Sequence, residues 1–256
     1  MKKIDYEKYH KSDSRTKLSG FEIARWDALT HFIPRNVPAI DNPHILDYGA
    51  GTGLHIELWQ KLFPSSELYL CDISTIGKEK CLSKFPKYEN KYKMIINDRA
   101  LYDNEKFDII LSIEVMEHVD DLITYIKDIF RLLKPGGVFI WTTPCANKFS
   151  IEHIYSSLTH QIQDTRDGFK KWSWEDPTHV RRLESSEIDK ILQKNGFSDT
   201  NYRFRSQFFS YICTYCPPKS KFQKLRNSLM KLDYNLLRKF PNGASMIGAA
   251  RKPSLS

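Results

Sequence analysis

Between residues 44 and 142 the sequence alternates short apolar runs with amphipathic stretches, and this alternation limits the fold more than any other feature. The apolar runs fall at 44–48, 68–72, 92–96, 107–112 and 138–142. Each has the length of a strand and is too continuously apolar for a strand wet on one face. The stretches between them suit helices. Residues 121–133 place Leu122, Ile126, Ile129 and Leu133 on one side and are stopped by Pro135-Gly136-Gly137. Parallel strands need crossover connections, so the pattern predicts a mostly parallel sheet with helices on both faces. Further runs at 197–204 and 245–250 bring the expected sheet to seven strands, the first of them preceded by a helix that Ser185 or Ser186 caps and Asn195-Gly196 ends. An opening helix is expected over 20–33, with Phe21, Ala24, Leu29, Phe32 and Ile33 at helical spacing, Ser19 as its cap and Pro34 past its end.

The chain has 256 residues, enough for one such domain with a sizeable core. The organisation read from the pattern is an N-terminal helical lid segment over 1–43 and an α/β domain over 44–256, with insertions at 145–184 and 206–243. A hydrophobic share of 41% against 27% charged residues excludes a disordered chain. No apolar run approaches the ~20 residues of a membrane span, and the polar start Met1-Lys2-Lys3 does not resemble a signal peptide. Five scattered cysteines, Cys71, Cys81, Cys145, Cys213 and Cys216, argue against a disulfide framework and for the reducing cytoplasm. Cys213 and Cys216 form a CxxC with no second pair to complete a zinc site, so a structural role is expected of them.

The first apolar run leads straight into Asp47-Tyr48-Gly49-Ala50-Gly51-Thr52-Gly53. Glycines there let the backbone turn tightly and approach a ligand without a Cβ in the way. A dinucleotide fingerprint would need glycine at 54, where Leu54 stands. Asp72 ends the second run, about 20 residues on, where an acid can bind ribose hydroxyls. Asn97-Asp98 ends the third, and Arg131-Leu-Leu-Lys-Pro-Gly-Gly-Val-Phe-Ile140 leads into the fifth. In this order, to about residue 200, the chain resembles the class I S-adenosylmethionine (SAM)-dependent methyltransferases. The resemblance implies a Rossmann-like fold and SAM as cofactor, with Asp47, Gly49, Gly51, Gly53, Asp72, Ile73, Asp98 and Arg99 lining its site.

The fourth run ends in Ser112-Ile-Glu114-Val-Met-Glu117-His118-Val119. Ligands of open α/β sheets sit beyond the carboxyl ends of the strands, which puts this segment beside the transferable methyl. If it is helical, Glu114, Glu117 and His118 share a face and make three oxygen and nitrogen ligands suited to Mg²⁺ or Mn²⁺. His179, in Asp176-Pro-Thr-His179-Val-Arg181, is the natural fourth ligand. The arrangement resembles the metal site of the small-RNA 2′-O-methyltransferases, and the Glu-Val-x-Glu-His-Val wording resembles the ubiquinone-biosynthesis O-methyltransferases. Thr143-Pro144 matches a Thr-Pro of the RNA enzymes, but Cys145 replaces the asparagine that follows there. Three readings stay open: a metal centre activating an acceptor hydroxyl, with Glu114, His118 and His179 as the catalytic set; His118 as base or substrate contact without metal; and purely structural residues.

The net charge of +8 fits an anionic partner without choosing one. Residues 206–243 carry Phe222, Leu225, Leu229, Leu232 and Leu236 on one helical face with a basic remainder, and the 219–240 stretch suits a membrane surface, an anionic substrate, a dimer contact or its own domain. Trp172 and Trp174 suit either stacking on an acceptor or packing of their loop, and Tyr6, Tyr9 and His10 either a lid or a packed terminus. The expected reaction is O-methylation of a small molecule or sugar, such as a sugar of a surface polysaccharide or its precursor. RNA 2′-O-methylation and a catalytically silent SAM-fold binding partner are the alternatives, and no RNA-binding module or arginine-rich arm favours the RNA reading.

Overall fold

The computed structural model describes residue 7, residues 20–209 and residues 223–254. A helix, α1 (Gly20–Asn36), leads into β1 (His44–Tyr48), α2 (Ile56–Leu62), β2 (Glu67–Asp72), α3 (Thr75–Lys84) and a 3-10 turn (Pro86–Lys91). A hairpin of β3 (Tyr92–Ile96) and β4 (Arg99–Ala100) precedes β5 (Phe107–Ile113), α4 (Leu122–Leu132) and β6 (Leu133–Pro144). Then come α5 (Ile151–Leu158), a ribbon of β7 (Ile162–Asp164) and β8 (Lys170–Trp172), α6 (Ser185–Lys194), β9 (Ser198–Arg205), α7 (Gln223–Leu237) and β10 (Ser245–Arg251).

The main sheet runs β4-β3-β2-β1-β5-β6-β10-β9. β1 pairs in parallel with β2 and β5, β2 with β3, and β5 with β6, while β10 runs antiparallel between β6 and β9. The sheet has eight strands rather than the expected seven, because the chain after β3 folds back through Asn97 and Asp98, both at positive φ, into the two-residue β4. Such a pair of left-handed residues makes the tight turn whose twist matches a hairpin. The fold class stands: a mostly parallel, Rossmann-like sheet covered on both faces.

Burial on both faces explains the apolar runs. In β6, Phe139 and Trp141 join a core with Leu122, Ile126 and Ile129 of α4 and Ile188 and Leu192 of α6. Val138 and Ile140 point the other way, into a core with Ala28, Leu29 and Phe32 of α1, Trp59 of α2 and Tyr234 of α7. Cys71, Cys81 and Cys145 are buried free thiols.

Several local expectations are corrected. α1 continues through Pro34 to Asn36, because a proline in the last turn forfeits only its own backbone bond. α6 starts after Glu184 rather than Ser185 or Ser186, since the Glu187 carboxylate reaches back to the Glu184 N–H at 2.7 Å and closes a capping box. Residues 114–118 form a bend at Glu114 and a turn over 116–118, not a helix. The 145–184 insertion holds α5 and the β7–β8 ribbon, with Trp172 buried and Trp174 half exposed. Ser19, Tyr6, Tyr9, His10, Cys213, Cys216 and Phe222, with residues 219–222 of the basic stretch, lie outside the described residues. Among the described residues no helix is long and apolar enough to cross a membrane.

Candidate active site

Strand order reverses between β1 and β5: the chain proceeds outward from β1 to β2 and β3, then returns to place β5 on the other side. The crevice beyond the carboxyl ends of these two strands is where open α/β sheets bind ligands. The Gly49–Gly53 turn forms one wall and the segment Glu114–His118 the other.

On the first wall, Gly49, Gly51 and Gly53 all have positive φ. A Cβ on Gly49 would lie 2.3 Å from Val115 Cγ2, so the two walls touch at a point that only glycine allows. The Asp72 carboxylate accepts from Gly51 N and Ser74 N, both at 2.8 Å, and so ties the turn to the end of β2. Asp47 lies beneath the turn, buried, accepting from Trp59 Nε1 at 2.8 Å. Burial pushes its carboxyl up to about 7, against the Trp59 hydrogen bond. Ile73 follows β2 with its side chain half exposed. Asp98 is exposed in the β3–β4 turn and Arg99 is exposed as the first residue of β4, both at the same end of the sheet. Glu7, absent from the sequence reading, accepts from Ser74 Oγ, Thr75 N, Thr75 Oγ1 and Ile76 N at 2.7–2.9 Å, capping α3 beside Asp72.

On the second wall the side chains Glu117, His118 and His179 converge: one ligand atom from each lies within 4.8 Å of the others. Glu117 is fully buried; Thr143 Oγ1 donates to its Oε2 at 3.0 Å, and its Oε1 has no hydrogen-bond partner. Burial, with the nearby charge of Glu114, pushes its carboxyl up to about 8. The two imidazoles meet edge to face with centroids 4.8 Å apart. His118 Nδ1–H donates to the Thr178 carbonyl at 3.1 Å, and His179 Nδ1–H donates to Glu175 Oε2 at 2.9 Å. With Nδ1 protonated, each neutral ring carries its lone pair on Nε2. Burial and the charge of His179 hold the His118 pKa down. Burial also lowers that of His179, but the Glu175 hydrogen bond and the Glu117 charge outweigh it and raise it.

Glu114 is held apart from this trio. Its left-handed φ of 56° turns it toward α1, where Oε2 pairs with Arg25 Nη2 at 2.9 Å and Oε1 accepts from Thr142 Oγ1 at 2.7 Å. Burial alone would raise its pKa; Arg25, Thr142 and Arg205 together lower it.

The trio meets because the 167–182 segment grips the loop after β5. Buried Arg181 donates to the carbonyls of Met116, Val119 and Asp120 and pairs with Asp167. Val180 N donates to the Glu117 carbonyl at 2.9 Å. Arg182 holds Glu175 and Glu152, both at 2.6 Å, and lies over the Trp172 ring. Reading the sequence missed Glu175, Arg182 and the Arg25 contact. Glu175-x-x-x-His179 spacing was a usable signal for the first; nothing local pointed to Arg25.

A buried carboxylate oxygen without a partner and two oriented imidazole lone pairs fit a divalent cation. The hydrogen bonds on Nδ1 are the supports that metal-binding histidines have. With Glu114 on Arg25, the donor set is two nitrogens and one oxygen, which suits Mn²⁺ better than Mg²⁺.

A family model described as a methyltransferase domain matches residues 21–202. The ubiquinone biosynthesis O-methyltransferase of Pelagibacter ubique is 34% identical over 62% of this chain and 63% of its own length. The malonyl-acyl-carrier-protein O-methyltransferase 1 of Ilyobacter polytropus is 32% identical over 47% of this chain and 45% of its own. The chain therefore spans less than two thirds of either relative. Among solved structures, phosphoethanolamine N-methyltransferase 2 of Haemonchus contortus, in complex with phosphomonomethylethanolamine and S-adenosylhomocysteine, is 17% identical with a TM-score of 0.59, covering 98% of this chain and 61% of that one. A possible histamine N-methyltransferase of Thermotoga maritima is 15% identical with a TM-score of 0.57, over 91% and 92% of the two chains. Those two likenesses speak for the fold alone. The family match over most of the chain, together with the glycine turn at the β1–β5 switch, places this chain among the class I SAM-dependent methyltransferases.

Proposed function

We propose that the chain transfers the SAM methyl group to a hydroxyl of a small molecule or sugar, assisted by a divalent cation held by Glu117, His118 and His179. The observation that carries this reading is the meeting of Glu117 Oε1, without a hydrogen-bond partner, and the two histidines across the crevice from the glycine turn. A neutral hydroxyl is a poor nucleophile at neutral pH, and a cation there supplies the Lewis-acid charge that lowers its pKa. The residues do the rest. Gly49–Gly53 and Asp72 fix the cofactor on one wall. Thr178 and Glu175 hold the two imidazoles in orientation, and Thr143 holds Glu117. Val115 on Gly49 excludes water from the contact between the walls. In the transfer the S–CH₃ bond breaks as the O–CH₃ bond forms, the hydroxyl proton passes to solvent water, and neutral S-adenosylhomocysteine remains. The names of the two O-methyltransferase relatives support an oxygen acceptor.

RNA 2′-hydroxyl transfer is the second reading, favoured by the convergence of the Glu-His pair with the distant His179. Glu114 weighs against it, since a four-ligand centre of the kind that motif implies would need this carboxylate away from Arg25.

Calorimetry on metal-stripped protein tests the proposal: SAM binds, Mn²⁺ binds more tightly than Mg²⁺, and His118→Ala or His179→Ala abolishes the Mn²⁺ event while SAM affinity stays within about twofold. Cation-dependent turnover on hydroxyl acceptors should fall roughly a hundredfold or more in either variant. Full turnover in chelator overturns the metal and leaves His118, neutral near pH 7, as the base. Binding of RNA that weakens steeply with salt would favour the second reading.

A further inference from the structure

We propose that the outward face of α7 docks the protein on an anionic lipid surface. Leu225, Leu232, Leu236 and Phe240 are 53%, 42%, 61% and 58% exposed. Leu225, Leu232 and Leu236 fall on one side of the helix by their spacing, and Phe240 lies in the turn that follows it. Lys224, Lys231 and Lys239 are exposed beside them. The opposite face belongs to the domain, with Met230 and Tyr234 buried, and at the edge of the stripe Leu229 is half buried against Ala24 of α1. The only acid in α7, Asp233, is fully buried, and its carboxylate accepts from the backbone N–H of Gln207, Phe208 and Phe209 at 2.9–3.1 Å. Its carboxylate is not exposed on the outer face. One neighbouring acid reaches that face, since Asp27 of α1 pairs with Lys231 at 2.9 Å. Lys224 and Lys239 have no ion pair among the described residues.

An exposed apolar stripe beside lysines is the composition of a helix that lies in a membrane interface, with leucines among the acyl chains and ammonium groups at the phosphates. A second copy fits less well, because self-pairing would set lysine against lysine with only Asp27, already paired with Lys231, among the acids beside the stripe. A nucleic acid would satisfy the lysines and leave the leucines wet. The place of the helix gives the docking a use. Leu237 and Arg238 accept at their carbonyls from Gln207 Nε2 and Phe204 N, at the end of β9 where Arg205 lies near Glu114. The C-terminal end of the docking stripe thus adjoins the rim of the crevice, and a lipid-linked acceptor could enter from the surface on which the protein sits. That use rests on the methyl-transfer reading; the docking face does not.

Sedimentation of the full chain with phosphatidylcholine vesicles, with and without phosphatidylglycerol, tests the face. Binding should appear only with phosphatidylglycerol and weaken in high salt. Lys224→Glu with Lys239→Glu should cost about thirtyfold or more in partitioning, from ~1 kcal/mol per lysine at an anionic surface. Leu225→Ser, Leu232→Ser and Leu236→Ser combined should cost at least about tenfold, with SAM binding and helical content unchanged as proof of folding. No binding, equal binding to neutral vesicles, or binding indifferent to both variant sets would overturn the proposal. So would release of bound protein by RNA, or a dimer in light scattering that either variant set turns into a monomer. All these outcomes are read without turnover, so a failed docking face leaves the methyl-transfer reading intact, and a failed transfer assay leaves the face.

Discussion

On the β1 side of the crevice, one continuous turn forms the surface, and its residues are mostly glycine. On the β5 side, the surface comes from side chains on two loops whose partners stand 60 residues apart, as His118 and Thr178 do. The first wall works through backbone, the second through imidazole and carboxylate groups aimed by other side chains. A backbone site depends on what is absent, a Cβ, whereas a side-chain site depends on every member of its supporting network. The two walls should therefore fail differently when altered.

The sharpest break is expected at Gly49. Alanine there places a Cβ 2.3 Å from Val115 Cγ2 at a φ of 85°. Strain and clash together should cost SAM affinity roughly a hundredfold, measured by calorimetry. Adding Val115→Ala removes the clash and leaves the backbone strain, so it should restore only part of the loss. Complete rescue would mean that contact between the walls, and not the backbone conformation, is what glycine provides.

The second wall should give the opposite pattern. Arg181 touches neither crevice wall through a reacting group; it holds the carbonyls of Met116, Val119 and Asp120 from behind. Arg181→Met keeps the bulk and drops the donors. It should lower Mn²⁺ affinity and kcat by about tenfold, with SAM affinity unchanged, because the loop carrying Glu117 and His118 loses its aim. A loss shared equally by SAM and Mn²⁺ would point to general destabilisation and would erase the distinction between the walls.

This contrast also explains what could be read in the sequence. The strands, the crossover order and the glycine turn were legible, because each is encoded in a few adjacent residues by apolar runs or by the missing Cβ. His118 and His179 could be nominated on residue type and strand position. Their meeting is expected from both loops lying at the carboxyl edge of the sheet, but what fixes it, Arg181 and Val180 drawing the insertion onto the β5 loop, has no local signal. Glu114 shows the limit most plainly. Spacing of three and four suggested a shared helical face, but the left-handed φ at this residue ends the regular backbone and sends its carboxylate to Arg25, on a helix that precedes the sheet. A change of backbone region at one residue, paired with a contact 89 positions away in the chain (Arg25 to Glu114), leaves no local trace. The extra strand β4 was missed for a similar reason: two residues cannot show a period.

The smallest effect should come from Glu7, which adds a side chain from far along the chain to a wall that already rests on the glycine turn and the Asp72 carboxylate. Burial tends to raise its pKa, but hydrogen bonds from Ile76, Thr75 and Ser74 outweigh this and lower it from 4.5 to about 2. Above pH 4.5 the carboxylate is charged whether bound or released, and its hold on the first turn of α3 is complete. Between about 4.5 and 2 the released form takes up a proton first, so the hold weakens as pH falls and is gone below 2. The group is solvent-accessible enough that screening limits its worth to about 1 kcal/mol, the scale of a helix cap. Glu7→Gln at pH 7 should therefore resemble the wild type near pH 2 to 3 at this one place. Exchange of the Thr75 and Ile76 amides, corrected for intrinsic rates, should quicken a few-fold in the variant, while amides of the β5 loop keep theirs. If exchange at Thr75 and Ile76 does not change, the glycine turn and Asp72 hold the cofactor wall without help from the N-terminal segment. The wall would then be local in its stability as well as in its sequence.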